Sequence, residues 1–193
     1  MYNGTINIHA ILKCSGVNGP GNRIVVFFQG CTRNCKGCFN PATHSMEPAR
    51  MLRPADILSN YPDNIEGVTI SGGEPFQQPD GLTELLMLSQ SYDLSTVVYT
   101  GYLIEELLAN YALKRPLKFI DALVDGPFEA DKLEPTLLAR GSTNQRIHLL
   151  TERYKEEDFI LPAKSEFIIA PDGTMTGTGF GAITLQQKNK LGA

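Results

Sequence analysis

Apolar and polar residues alternate over residues 5–12, which places Ile6, Ile8, Ala10 and Leu12 on one face of a half-buried strand. The next apolar segment has another character. Residues 24–28 (Ile-Val-Val-Phe-Phe) are unbroken and rich in β-branched and aromatic types, the pattern of a strand covered on both faces. Shorter segments of the same kind recur at 68–70, 96–99 and 119–124. Between them the period becomes helical, over 54–61, over 81–91 (Leu82, Leu85, Leu86, Leu88) and over 103–112 (Leu103, Leu107, Leu108). Pro54 and Pro79 sit near the expected helix starts, where a missing N–H costs little. Further on, 147–150, 166–170 and 174–178 read as strands, the last two joined into a hairpin by a Pro171-Asp172-Gly173 turn.

Alternation of strand and helix predicts an α/β fold with a largely parallel sheet built from right-handed crossovers, followed by a C-terminal strand pair. The 193 residues are read as one domain, with a core over about 6–150 and an extension over about 151–193. In such folds the active site lies beyond the carboxyl ends of the strands. Cys31, Gly72-Gly73, Thr100-Gly101 and Asp125-Gly126 each follow a predicted strand, so four polar or glycine-rich loops converge on one rim.

Composition narrows the function classes. With 17 Lys and Arg against 21 Asp and Glu the net charge is −4, which is no electrostatic footprint for nucleic acid. The apolar runs fall far short of the about 20 residues of a membrane span, and no charged-then-apolar leader opens the chain. The expected address is the cytoplasm. In that reducing compartment four cysteines point to metal or redox chemistry rather than disulfides.

Three of the four, Cys31, Cys35 and Cys38, form C-x3-C-x2-C on one short loop. Thiolates are the soft ligands that iron–sulfur clusters select, and Gly30 and Gly37 let the backbone turn close to such a group. The remaining cysteine, Cys14, lies on the far side of a strand and matches no ligand position, so one iron of a [4Fe–4S] cluster would stay open to a substrate. A zinc site is the rival on spacing alone, because His44 follows Cys38 and can complete a Cys3His set.

Ser71-Gly72-Gly73-Glu74-Pro75 directly follows a predicted strand, and in combination with the cysteine motif it resembles the radical S-adenosylmethionine (SAM) enzymes. The flanks resemble one branch, the activating proteins of anaerobic ribonucleoside-triphosphate reductase. These flanks are Val17-Asn18-Gly19-Pro20-Gly21-Asn22-Arg23, Phe28-Gln29-Gly30-Cys31, Tyr99-Thr100-Gly101-Tyr102, Leu123-Val124-Asp125-Gly126 and Arg140-Gly141-Ser142-Thr143-Asn144-Gln145-Arg146. The likeness runs from about Ile6 to Phe180. Gly37 stands before the last cysteine, where an aromatic is commoner in the superfamily. Phe39 follows it instead, which fits the reductase activators and not a pyruvate formate-lyase type activator.

The resemblance implies a partial (β/α) barrel of the radical SAM type, open along one side. A full eight-stranded barrel takes about 250 residues. It implies that Cys31, Cys35 and Cys38 hold a [4Fe–4S] cluster whose fourth iron is chelated by SAM. Gly72, Gly73, Glu74 and Pro75 would contact the methionine end of SAM, and Gly37, Cys38 and Phe39 its adenine side. Thr100 and Asp125 are further candidates for the cofactor, and Asp125 also for a cation or an incoming loop. Flavodoxin or ferredoxin would supply one electron, and the 5′-deoxyadenosyl radical from SAM would take a hydrogen from a glycine Cα. That glycine would belong to a glycyl radical enzyme, the large subunit of the reductase, with no nucleic acid or membrane as partner. No acid–base dyad is required. The polar segment 140–146 is either a docking loop or a solvated one. Two alternatives stand beside this reading: a radical SAM enzyme acting on a peptide or small metabolite, and a non-catalytic zinc module.

Overall fold

A computed structural model describes residues 4–169, 172–173 and 175–180. Its strands are β1 (Ile6–Ser15), β2 (Arg23–Phe28), β3 (Arg50–Leu52), β4 (Gly67–Gly72), β5 (Ser95–Tyr99), β6 (Ala122–Asp125), β7 (Arg146–Leu149), β8 (Glu166–Ile169) and β9 (Met175–Thr178). The first seven form one sheet in the order β3-β1-β2-β4-β5-β6-β7. β2, β4, β5 and β6 run parallel, as the alternating pattern predicts. Antiparallel strands flank this centre, β1 and β3 on one side and β7 on the other. β8 and β9 form the expected antiparallel pair, with Glu166 opposite Thr178 and Ile169 opposite Met175. Ala170, Pro171 and Thr174 of the predicted hairpin, and 181–193 of the predicted extension, lie outside the described residues.

The helices are α1 (Pro54–Ile57), α2 (Pro79–Ser91), α3 (Ile104–Ala109) and α4 (Tyr111–Lys114). Two are shorter than the apolar spacing suggests. α1 ends after one turn: Asn60 takes a left-handed conformation (φ 51°), and Tyr61 precedes Pro62, which disfavours helical backbone there. The pattern over 103–112 is split at Asn110. That residue is extended, and its side chain accepts the N–H groups of Ala112 and Leu113, so it starts a new turn instead of continuing the old one. Phe119 closes a 3-10 turn (Pro116–Phe119) instead of opening a strand.

Strand alternation sorts the sheet into two faces. Ile24, Val26, Phe28, Val68, Ile70, Val98 and Leu123 pack under the helices with Leu82, Leu85, Leu86 and Leu107, all fully buried. Each such side chain contributes about 1.5–3 kcal/mol of burial. The opposite face carries Phe27, Thr69, Ser71 and Tyr99, and it floors a cavity. β1 departs from its predicted alternation. Ile8 pairs with Phe28 but Ala10 pairs with Phe27, so His9 is an extra residue in the ladder. Beyond this bulge Ile11 and Cys14, not Ala10 and Leu12, pack against the helix-side core.

Arg23 opens β2 and is fully buried. Its guanidinium donates to Thr69 Oγ1 (2.7 Å), Pro20 O (2.9 Å), Tyr154 Oη (2.7 Å), Val68 O (2.8 Å) and both oxygens of Ser95 (3.1 Å each). Burial pushes its pKa down, while Tyr154 pulls the other way. A guanidinium supplies five N–H donors, and this dense set of neutral acceptors satisfies them without a carboxylate in direct contact. The Gly-Pro-Gly segment before it is therefore part of a polar plug under the sheet. The β8–β9 pair docks on the same loop, through Ser15 Oγ to Glu166 Oε2 (2.6 Å) and Asn18 Nδ2 to Thr178 Oγ1 (2.9 Å).

Candidate functional site

The cavity has a volume of about 420 Å3, within the range of small-molecule sites. Four groups of residues build its wall: the cysteine loop, the carboxyl ends of β4 and β5, the segment after β6, and β9 with Gly179 and Phe180. Convergence of the strand ends on one rim is as expected. Of the predicted residues, Cys31, Cys35, Cys38, Phe39, Gly72, Gly73, Glu74 and Thr100 line it. Gly37, Pro75 and Asp125 do not.

All three thiols are half-buried and face the same space. Burial pushes the Cys31 and Cys38 thiols up, against hydrogen bonds from the loop backbone, such as Asn40 N–H to Cys38 Sγ (3.4 Å). A positively charged iron centre would reverse that and hold them as thiolates. Cys14 packs against the helix-side core on β1, away from the cavity. The soft donor set therefore consists of three sulfurs, which suits a [4Fe–4S] cluster with one open iron. Among the described residues no group of three His, Cys, Asp or Glu, the three thiols included, is gathered closely around one metal position, and His44 lines the same cavity.

The glycines after β4 make close backbone approach possible. A Cβ on Gly73 would stand 2.3 Å from Gly30 O, and Gly72 has φ 96° with Phe28 N 2.6 Å from where its Cβ would be. In exchange Gly73 N donates to Phe28 O (2.8 Å) and Glu74 N to Gly30 O (2.9 Å), so the strand end is stitched to the entry of the cysteine loop. Glu74 is 1% exposed. Its carboxylate accepts from Thr100 Oγ1 (2.8 Å), Gly101 N (2.8 Å) and Phe76 N (3.1 Å). Burial pushes its pKa up, and those three donors with Arg33 pull it back. Pro75 follows as the buried first residue of a 3-10 turn (Pro75–Gln77).

Arg33, inside the cysteine loop, was not marked by the sequence motifs. It donates to Gly101 O (2.5 Å), stacks over the Tyr102 ring (4.6 Å to the centroid) and stands 3.8 Å from Glu106. It clamps the loop to the end of β5. Phe39 packs on Phe128 with ring centroids 4.4 Å apart, and Tyr99 on Phe180 at 5.5 Å. Those two aromatic pairs join segments far apart in sequence, so no local pattern signals them. Thr69 and Ser71 also line the cavity and were missed, because 68–70 reads as an unbroken apolar segment; polar residues at alternate positions of β4 are the signal that marks them.

Asp125 lies on the opposite face of β6 from the cavity, and alternation is the reason. Ala122 and Val124 occupy the cavity side, so Leu123 and Asp125 face the helices. Asp125 accepts from Ile104 N (2.7 Å) at the start of α3 and from Arg146 Nε (2.9 Å), with His148 Nε2 3.2 Å away. Burial pushes its carboxyl up, but the bonds from Arg146 and Ile104 outweigh this and hold it below the usual value. The rest of the 140–146 segment is spent internally. Gln145 accepts from Gly141 N and donates to Gly126 O (3.0 Å), Asn144 donates to Pro127 O, and Arg140 pairs with Glu134.

Residues 17–148 match a family described as a 4Fe-4S single cluster domain. The chain is 37% identical over 147 residues to an anaerobic ribonucleoside-triphosphate reductase-activating protein of Pasteurella multocida, covering 70% of this chain and 92% of the relative. It is 34% identical over 156 residues to the protein of that name from Escherichia coli K12 (75% and 99%), and 29% over 161 residues to that of Enterobacteria phage T4 (79% and 100%). The match to a cluster domain favours iron–sulfur over zinc at the three cysteines.

Proposed function

The chain belongs to the family of anaerobic ribonucleoside-triphosphate reductase-activating proteins, and from that premise we propose that it is a radical SAM oxidoreductase that installs a glycyl radical on the large subunit of that reductase. The observation that carries this is the cavity itself: three thiols of one loop open into it beside the bare backbone of Gly72 and Gly73. Cys31, Cys35 and Cys38 would hold the [4Fe–4S] cluster. When bound, cluster and SAM would supply one-electron cleavage of the sulfonium and abstraction of a glycine Cα hydrogen.

The chain's own residues bind, orient and shield. Gly72 and Gly73 offer room and backbone groups for the methionine end of SAM. Glu74 and Thr100 hold that strand end in place, and the tilted Phe39–Phe128 pair is an apolar aromatic wall for the adenine, with Gly37 letting the loop turn. Pro75 fixes the exit of the strand. Asp125 acts at one remove, by anchoring α3 and β7 behind the rim. We read the sheet as a partial barrel, whose two edges, β3 and β7, leave a side for a glycine loop to enter. Flavodoxin or ferredoxin would be the donor. No helix among the described residues is long and apolar enough to cross a membrane, and we place the protein in the cytoplasm.

Anaerobic reconstitution with iron and sulfide tests the cofactor. About four of each per chain are expected, with methionine and 5′-deoxyadenosine released from SAM on reduction. A colourless protein carrying one zinc would contradict the reading.

A further inference from the structure

Residues 175–180 line the cavity without a break, whereas none of Glu166–Ile169 on the paired strand β8 does. Side chains of a strand alternate between its two faces, so an unbroken run belongs to an edge and not to a face. β8 occupies one edge of β9, and the other edge is turned to the cavity. Among the described residues β9 pairs with β8 alone, and Met175, Thr176 and Gly177 are exposed. The strand is also held in place. Asn18 Nδ2 donates to Thr178 Oγ1 (2.9 Å), and Phe180 packs on Tyr99 of the cavity floor with ring centroids 5.5 Å apart.

An open edge offers a row of backbone donors and acceptors, and proteins commonly blunt it with charge or proline. β3 carries Arg50, β7 Arg146 and His148, and β8 Glu166. β9, Met-Thr-Gly-Thr, has neither device. A glycine inside a strand weakens it and marks a place where another backbone comes close, which fits Gly177.

We propose that the open edge of β9 takes the glycine-bearing segment of the reductase large subunit as an added strand, laid along residues 175–178 with its glycine Cα in the cavity. This rests on the function proposed above. A glycine presents no side chain to recognise, so its segment must be read through the main chain and the flanking residues, which is what strand addition does. Paired strands lie about 4.8 Å apart, so an added strand would sit over the cavity that the three thiols also line. Along a strand alternate residues turn their N–H and C=O to the same edge, so every second amide of the added segment would face β9.

The test uses the reconstituted, SAM-loaded protein, the intact large subunit and synthetic peptides of about eight residues centred on its radical glycine. Those amides of 175–178 that β8 does not engage should exchange hydrogen fast in the free protein and slowly once the large subunit is added. The peptide should compete with the subunit for this effect. Peptides carrying one backbone N-methyl group each should then bind in alternation, about tenfold more weakly at every second position and like the parent peptide between. Slow exchange of all the 175–178 amides in the free protein would overturn the proposal, because this chain or a second copy would already cover the edge. N-methylation that is tolerated everywhere, or damaging at every position alike, would overturn it as well. A protein that assembles no cluster, or leaves the large subunit free of radical, would fail the functional reading and this proposal with it. One that forms the radical but shows no alternation would fail the proposal alone.

Discussion

Thr100 donates its hydroxyl to Glu74 Oε1 across 2.8 Å in the protein interior, tying the carboxyl ends of β4 and β5 together at the rim of the cavity. The other Glu74 oxygen takes the Gly101 N–H, and Phe76 N donates to the first. Removing the carboxylate strands three donors, each worth about 1–3 kcal/mol when left unpaired. Glu74→Ala should lower the unfolding free energy by about 3 kcal/mol or more in urea titrations, and Thr100→Val by about 1–2 kcal/mol. Parent-like stability of Glu74→Ala would show that the carboxylate does not hold the rim.

The four cysteines should separate cleanly. Cys31→Ala, Cys35→Ala and Cys38→Ala are each expected to abolish SAM cleavage, with iron content as the parallel readout. Cys14→Ala should keep both, at a cost of about 1 kcal/mol for a lost core contact. Equal loss in all four variants would mean that Cys14 is a ligand.

Arg33 joins the cysteine loop to Gly101 and Tyr102. Arg33→Met gives up a hydrogen bond and a cation–π contact together worth about 1–2 kcal/mol, so SAM should bind roughly 5- to 30-fold more weakly. Arg33→Lys should recover little, because a lysine cannot offer a planar group to both partners. Equilibrium binding of SAM to the loaded protein measures this, and an unchanged dissociation constant in Arg33→Met would refute the clamp.

Arg146 bridges Asp125 and Glu105, holding the Asp125 carboxyl below its ordinary 3.8 and that of Glu105 down from 4.5 to about 2. Both acids bind protons less readily folded than unfolded. Their contribution is therefore present above about pH 4.5 and is lost as the pH falls toward about 2. Arg146→Met should melt well below the parent at pH 7, and the gap should narrow as the pH drops through that window. A gap that stays constant with pH would assign the loss to packing alone.

The parallel centre of the sheet and the shared rim were legible because each apolar run ends in a turn or ligand motif, as at Val68–Ile70 before Gly72 and at Thr96–Tyr99 before Thr100. Local register was not. The extra His9 in β1 shifts the buried face from Ala10 to Ile11, and only pairing with Phe27 and Phe28 reveals it. Asp125 shows the same limit. Its position at a strand end suggested the rim, but a four-residue strand points alternate side chains to opposite faces, and the face shared with Ala122 and Tyr99 falls to Val124. Arg33, Phe128 and Phe180 escaped because their partners lie tens of residues away, where neither spacing nor composition carries a signal. Helix lengths failed where a polar residue offered the backbone another choice, as Asn110 does between α3 and α4.

Activation of a protein glycine is most directly tested by mixing the reconstituted, reduced protein with SAM and the large subunit of an anaerobic ribonucleoside-triphosphate reductase, and recording the electron paramagnetic resonance spectrum. The expected result is a glycyl radical doublet on the reductase, absent when SAM is omitted or when Cys35→Ala replaces the parent. A cluster that cleaves SAM while the reductase from the same cell stays radical-free would contradict it.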